Sequence, residues 1–192
     1  TLAAHFSALA AREFNAELRA LRDAAAARAL PDFVDDGEVS IGAGSGSRTW
    51  PIDHLPALHA VPWSDLHSIP TALITGSNGK TTTVRLLAAM ARQAGKVAGY
   101  CCTEGIAIDG HIEAEGDYSG PAGARQVLRD RRVEIAVLET ARGGILRRGL
   151  AVRHAEVAVI TNVSADHFGE YGIDSLDDLA RVKRVVAHAL PA

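Results

Sequence analysis

The sequence predicts an α/β protein: a mostly parallel, doubly wound sheet with flanking helices, preceded by an N-terminal helix and a short β region. Three observations lead there. From residue 71 onward, short apolar runs alternate with helical patterns, as strand–helix–strand units do. Two of those runs, EIAVLET and EVAVITNV, are apolar almost throughout, which suits strands buried on both faces at the centre of a parallel sheet. The first run, TALIT, ends in a glycine-rich turn that opens directly into a helical pattern, GSNGKTTTVR, the strand–turn–helix order of a P-loop fold.

Bulk properties narrow the class. With 192 residues, 47% of them hydrophobic and 22% charged, the chain is long enough for one compact core plus an appendage. Its net charge of −3 is spread over interspersed acids and bases, so no nucleic-acid face is expected. No apolar run reaches the roughly 18 residues of a membrane span. The first residues, TLAAHFSALAAREF, carry His5, Arg12 and Glu13, unlike a secretory leader; the missing initiator Met suggests a processed or excised fragment. Cys101 and Cys102 are neighbours, with Cα atoms about 3.8 Å apart, so they are read as two buried strand residues in a reducing cytoplasm.

Taken in order, residues 2–30 read as a helix, with Phe6, Ala10, Phe14, Leu18, Leu21 and Ala25 forming one stripe. Residues 31–70 hold Pro31, Pro51, Pro56, Pro62 and Pro70. GAGSGS lies there between EVSI and SRTW; it lacks the third glycine of a dinucleotide fingerprint and is read as a turn between two short strands. After TALIT comes a helix with Val84, Leu87, Ala88 and Ala91 on one face and Gly95 as its stop. KVAGYC is a strand, Asp109-Gly110 a hairpin turn, and GPAGARQVLRDRR a helix with Pro121 near its start. DSLDDLARVKRVVAHAL closes the chain as a helix capped by Asp174 or Ser175.

The usual P-loop spacing, G-x-x-x-x-G-K-[ST], is not met: the glycines are Gly76 and Gly79, giving the shorter G-x-x-G-K-T. The parts of a triphosphate site are nonetheless present. Gly76 and Gly79 permit a tight anion nest, Ser77 and Asn78 lie between them, and Lys80 can neutralise phosphate charge. Thr81 and Thr82 open the helix, with the Thr81 hydroxyl placed for Mg²⁺. Metal ligands are expected at neighbouring strand ends. Glu139 ends AVLET, and His167 closes the VSADH that comes after AVITN; otherwise they are a helix-start acid and a loop histidine.

The motifs TGSNGKTT, LETARGG and TNVSADH, in that order, resemble the central ATPase domain of the Mur ligase family, which makes amide bonds at the expense of ATP. The short loop is that family's normal form. Within the family, the segments EGIAIDGHIEAEGDYSGPAGARQVLRD, VLETARGGILRRGL and GIDSLDDLARVKRVV are most similar to the branch that extends a poly-aspartate chain bearing arginine side branches. The resemblance covers about residues 71–188. It implies that ATP phosphorylates a substrate carboxylate and that an amine attacks the acyl phosphate. Lys80, Glu139 and His167 then carry the catalysis, and Gly76 through Thr82 with Asn162 bind the nucleotide. Thr81 ligates one Mg²⁺; Glu139 and His167 hold a second, joined by Lys183 if that lysine is carbamylated rather than simply solvated. Arg142 with Gly143 and Gly144, beside Ser119, Gly120 and Pro121, are candidates for an anionic-substrate pocket.

The resemblance divides the chain into a helix-plus-β unit at 1–70 and an ATP-binding central domain at 71–192. It places a further ligase domain soon after residue 190, so this chain alone is expected to bind ATP·Mg²⁺ but not to complete ligation. Partners are amino-acid or peptide-like carboxylate and amine substrates, with no nucleic acid and no membrane. Two other readings remain: a different P-loop NTPase or kinase, and a nucleotide-binding protein without catalysis.

Overall fold

The computed structural model describes Leu2, residues 15–165 and residues 168–191. Helix α1 (Ala16–Ala26) starts where the Asn15 side chain accepts from the Leu18 N–H at 2.8 Å, satisfying a first-turn donor. Leu18, Leu21 and Ala25 share one face, with Leu21 and Ala25 fully buried; Phe6, Ala10 and Phe14 lie outside the described residues. The helix stops short of residue 30. Ala29 takes φ +54° and the Leu30 N–H turns back to the Ala25 carbonyl, a Schellman closure. The stripe covers an antiparallel sheet of β1 (Asp32–Val34), β2 (Glu38–Ile41) and β3 (Arg48–Pro51), through Val39 and Ile41. GAGSGS connects β2 to β3 as the expected turn.

The main sheet contains β4 (Thr71–Thr75), β5 (Ala98–Cys102), β6 (Gly105–Ile108), β7 (His111–Glu115), β8 (Ile135–Glu139) and β9 (Val157–Ile160). Their order is β7-β6-β5-β8-β4-β9. The strands β5, β8, β4 and β9 run parallel, while β6 and β7 join as an antiparallel hairpin around Asp109-Gly110. Helix α2 (Lys80–Gln93) covers one face, where Val84 meets Ile74, Cys102 and Val137. Helix α3 (Pro121–Arg129) and the 3₁₀ run Arg184–Ala189 cover the other, where Val127, Leu128 and Val186 meet Leu73, Cys101 and Leu138. Successive residues such as Leu73 and Ile74 therefore enter opposite cores, which is why these strands read as continuous apolar runs.

Helices α4 (Arg142–Arg148) and α5 (Leu176–Lys183) complete the described fold. Ser175, not Asp174, caps α5, accepting from the Asp178 N–H at 3.2 Å. The closing segment tightens to 3₁₀ after Lys183 instead of staying α-helical. EVAVITNV does not sit at the sheet centre as expected. Among the described residues β9 pairs only with β4, so its flank is open and Val157 and Ile160 are 47% and 37% exposed. Both cysteines are free and buried. Among the described residues no helix is long and apolar enough to cross a membrane.

Phe33 and Ala43 of the small unit pack into the main core, and Arg125 pairs with Asp35 at 2.9 Å; one further side chain makes most of the polar contacts. From the end of α3, Arg129 donates to Ser40 Oγ at 2.7 Å and to the Phe33 carbonyl at 3.2 Å. Its guanidinium also pairs with Asp35 at 2.5 Å and Glu38 at 2.7 Å. The Arg129 carbonyl in turn accepts from the Ser47 hydroxyl at 3.1 Å. The planar fork lets one group serve all these acceptors at once. Arg129→Ala is therefore expected to lower the unfolding free energy by about 2 kcal/mol, since Asp35 and Glu38 keep partial access to water. Arg129→Lys should recover only part of that. Urea denaturation reads both, and an unshifted midpoint for the alanine variant would show that the clamp adds nothing.

Candidate functional site

Parallel register brings four strand ends together. Ile74 on β4 lies beside Glu139 on β8, Thr75 lies beside Ile160 on β9, and Cys101 on β5 lies beside Leu138. The residues at and just beyond these ends must then meet at one edge of the sheet: the loop 76–79, Thr103, Glu139 and the pair Thr161-Asn162. Open α/β sheets place ligand sites at this carboxyl edge.

The two loop glycines are needed for different reasons. Gly76 has φ +145°, and a Cβ there would stand 1.9 Å from Thr161 Oγ1, so both backbone and packing exclude a side chain. Gly79 has open space around it but takes φ +82° as the residue before α2. The loop is braced from behind by the segment after β9. The Ser77 N–H donates to the Asn162 carbonyl at 2.9 Å, and the Asn78 N–H to Asn162 Oδ1 at 3.1 Å. Asn162 Nδ2 and the Thr161 hydroxyl both donate to the Asn78 carbonyl, at 3.0 and 2.6 Å. Ser77 Oγ accepts from the Ser164 N–H at 3.1 Å.

This bracing changes which donors face an anion. The N–H groups of Ser77 and Asn78 are spent on Asn162, so the donors available are those of the first turn of α2, which have no helical acceptor. The Asn162 amide is spent on the loop main chain. Lys80 Nζ folds over the loop to donate to the Ser77 carbonyl at 3.1 Å, and Thr82 is exposed.

Opposite the loop, Glu139 is 1% exposed. Its Oε2 accepts from the Thr81 hydroxyl at 2.8 Å, and the Thr103 N–H is also directed at the carboxylate. Oε1 is buried without a hydrogen-bond partner. Burial pushes the Glu139 pKa up, outweighing the Thr81 hydrogen bond, the Lys80 charge and the Thr103 N–H. A buried carboxylate oxygen without a partner is costly. An oxygen-seeking divalent cation held between Glu139 and the Thr81 hydroxyl would remove that cost. Among the described residues no three or more His, Cys, Asp or Glu side chains form a group that could hold a metal. This donor set fits Mg²⁺, which takes one or two carboxylates and completes its shell with water and phosphate oxygens.

His167 lies outside the described residues. Lys183 is only 3% exposed, so it is not a solvated lysine. Ser119, Gly120, Pro121, Gly143 and Gly144 line one cavity of about 300 Å³, as expected; its arginines are Arg147 and Arg148. Arg142 instead pairs with Glu170 at 2.6 Å. Sequence reasoning missed Thr103, whose hydroxyl lies 3.1 Å from that of Thr81, and the bracing residues Thr161 and Ser164. Thr103 comes directly after β5, so inspecting the first residue past each parallel strand would have found it.

A raised carboxylate pKa reverses the usual pH dependence. The folded chain holds the Glu139 proton more tightly than the unfolded chain does. The resulting stability is present below the ordinary value of 4.5 and is lost as pH rises through the folded value. In EDTA, Glu139→Gln is therefore expected to melt above the parent at pH 7–8, the difference closing toward pH 4. Added Mg²⁺ should raise the melting temperature of the parent only. Identical melting of the two proteins at neutral pH would show that the carboxylate carries no burden.

Residues 74–191 match the model of the Mur ligase middle domain. The chain is 45% identical over 168 residues to the cyanophycin synthetase of Geminocystis herdmanii, covering 83% of this chain and 19% of that protein. To the cyanophycin synthetase of Crocosphaera subtropica it is 50% identical over 168 residues, with coverages of 83% and 19%. The chain thus spans about a fifth of the length of these relatives. A solved UDP-N-acetylmuramoyl-L-alanyl-D-glutamate--2,6-diaminopimelate ligase overlaps 62% of this chain and 24% of its own at 25% identity, with a TM-score of 0.49; at that overlap it bears on neither fold nor function. The family match runs from inside β4 through the loop and Glu139 to the final 3₁₀ turn, and on it the chain belongs to the Mur ligase family, through that family's middle domain.

Proposed function

We propose that this chain is the nucleotide-handling part of an ATP-dependent carboxylate–amine ligase of the cyanophycin-synthetase type, with residues 71–192 as its central domain and residues 1–70 as an appended unit. The observation that supports this best is a buried carboxylate, Glu139, with one oxygen unpartnered and the other 2.8 Å from the Thr81 hydroxyl. Beside it lies a glycine-defined helix start that carries Lys80. In the reaction, an oxygen of the substrate carboxylate attacks the γ-phosphorus of ATP and ADP leaves. The amine then attacks the acyl-phosphate carbon, and inorganic phosphate leaves as the amide forms.

Each residue has a role in the first of these steps. Lys80 exchanges the Ser77 carbonyl for the β- and γ-phosphate oxygens, and the first-turn N–H groups of α2 orient the same phosphates. Thr81 and Glu139 would hold Mg²⁺, and His167 with Lys183 would complete a second site alongside Glu139. Bound there, the metal supplies charge neutralisation to the transferring phosphoryl group. Asn162, Thr161 and Ser164 act through the loop, keeping Ser77 and Asn78 in the shape that presents Gly79 and Lys80. The acid and amine are amino-acid or peptide-like. Contacts to the amine are assigned to other parts of a longer protein, since 83% of this chain covers only 19% of the relatives' length. Two free, buried cysteines suit a reducing, cytoplasmic setting.

Calorimetric titration with a non-hydrolysable ATP analogue and Mg²⁺ tests this reading. Lys80→Ala should weaken binding roughly tenfold to a hundredfold, the worth of charge-assisted hydrogen bonds, and Thr81→Ala should remove most of the Mg²⁺ dependence. Binding indifferent to both changes would overturn the site. In the longer protein, a stable phosphorylated product without amide would favour a kinase instead.

A further inference from the structure

A second cavity, of about 260 Å³, lies where the small unit meets the main sheet. Thr71, the first residue of β4, lines it, so it sits at the edge of the sheet opposite Glu139 and the phosphate loop. Its inner wall is Phe33, Ala43, Leu128 and Val152, all buried, and half-buried Leu30 and Leu150 continue it outward. The polar groups of that wall are already committed. The Leu30 N–H donates to the Ala25 carbonyl at 3.0 Å and the Ala43 N–H to the His67 carbonyl at 2.9 Å. The Thr71 N–H donates to the Glu156 carboxylate at 2.6 Å and its hydroxyl to the Ile69 carbonyl at 3.0 Å. A buried water needs several polar partners, and this interior offers few.

The mouth has the opposite character. Arg153, His154 and Ser68 stand there, all exposed. Val152 and Ala155, on either side of Arg153 and His154, are buried, and the Ala155 N–H donates to the Ala189 carbonyl at 2.8 Å; the loop is pinned while these two side chains are not. Among the described residues the side chains of Arg153, His154 and Ser68 make no hydrogen bond or ion pair. The carboxylate on the rim, Asp32, is taken by Arg22 at 2.6 Å. In the hollow that continues along α1, Arg19 pairs with Asp23, so the Arg153 guanidinium is the charge left uncompensated. An apolar interior with one such cation at its mouth has the polarity of a carboxylate with an apolar tail.

We propose that this cavity is a binding site for a medium-chain alkanoate, separate from the nucleotide site and independent of the ligase reading. The tail lies against Phe33, Leu128 and Val152, and the carboxylate is held at the mouth by Arg153, with Ser68 and His154 as further donors. Size sets the tail: an apolar cavity of about 150 Å³ takes benzene, so this one takes a chain of about eight carbons. Charge sets the head. One uncompensated guanidinium matches one negative charge and grips a carboxylate through two N–H groups, whereas a phosphate monoester brings nearly two charges.

The test titrates the ¹⁵N-labelled chain with octanoate, kept below its micelle-forming concentration, and follows amide resonances. Saturable shifts centred on Leu30, Ala151 and Arg153 are expected. Arg153→Ala should weaken binding about tenfold, and Arg153→Lys should be intermediate, because an ammonium keeps the charge but not the fork. Ala151→Leu, which fills the cavity from a half-buried position, should abolish binding. Octanol should bind about tenfold more weakly than octanoate, and octylammonium and acetate should not saturate. Arg153 is exposed, so its variants are expected to keep the parent's urea midpoint and remain informative even if Ala151→Leu does not fold. No saturable shift, equal affinity in Arg153→Ala, or octanol or octylammonium binding as tightly as octanoate would each overturn the proposal. Sedimentation of the unliganded chain runs alongside: dimerisation together with no octanoate binding would give the cavity to a second copy and overturn it equally.

Discussion

The arrangement depends on one electrostatic constraint: a carboxylate, Glu139, is buried at the end of a central strand with only one of its oxygens hydrogen-bonded. Burial of an ionised group is tolerated only where neighbours return most of what water gave it. Here the neighbours come from two other strand ends, Thr81 after β4 and Thr103 after β5. Their convergence is possible only because β4, β8 and β5 are adjacent and parallel. The register Ile74 beside Glu139 is therefore as much a property of the site as of the fold. A shift of one residue would turn Glu139 to the other face of the sheet.

Much of this was legible in the sequence, for identifiable reasons. Continuous apolar runs exposed the parallel strands because β4, β5 and β8 are buried on both faces, and glycines, proline and serine marked the turns and caps where the backbone required them. The site residues that could be read were those whose chemistry is carried by type and spacing: Gly76, Gly79, Lys80, Thr81 and Glu139. The features that could not be read depended on strand order. EVAVITNV looks as apolar as EIAVLET, yet β9 lies at an open flank while β8 lies at the centre, and nothing within either run encodes that difference. Thr103 and Ser164 are common residues in loops, and only the pairing of distant strands gives them a role.

The small antiparallel sheet shows the same limit from another side. Its strands and turn were visible as local patterns, but its attachment was not. Beside Phe33 and Ala43, which enter the main core, and the Arg125–Asp35 pair, the attachment uses Arg129, which in sequence is one of several basic residues near the end of a helix. Its acceptors, Ser40, Asp35, Glu38 and the Phe33 carbonyl, lie about ninety positions away, beyond the reach of any helical periodicity. These polar contacts fix the orientation of a sheet whose Phe33 and Ala43 already pack into the main core.

The shortened loop obeys the same logic of distant support. A longer P-loop can wrap an anion with its own main-chain amides. With only Ser77 and Asn78 between its glycines, this one has no spare length, and both residues commit their N–H groups to Asn162. The loop thus gives up its own donors to become rigid, and the donors for an anion shift to the start of α2. Rigidity of this kind matters for phosphoryl transfer, where the protein contributes positioning and charge rather than covalent chemistry. Losing the brace after β9 would leave Lys80 and Thr81 unchanged in identity but no longer held against Glu139. Thr161, Asn162 and Ser164 therefore belong to the site even though their hydrogen bonds are spent on the loop.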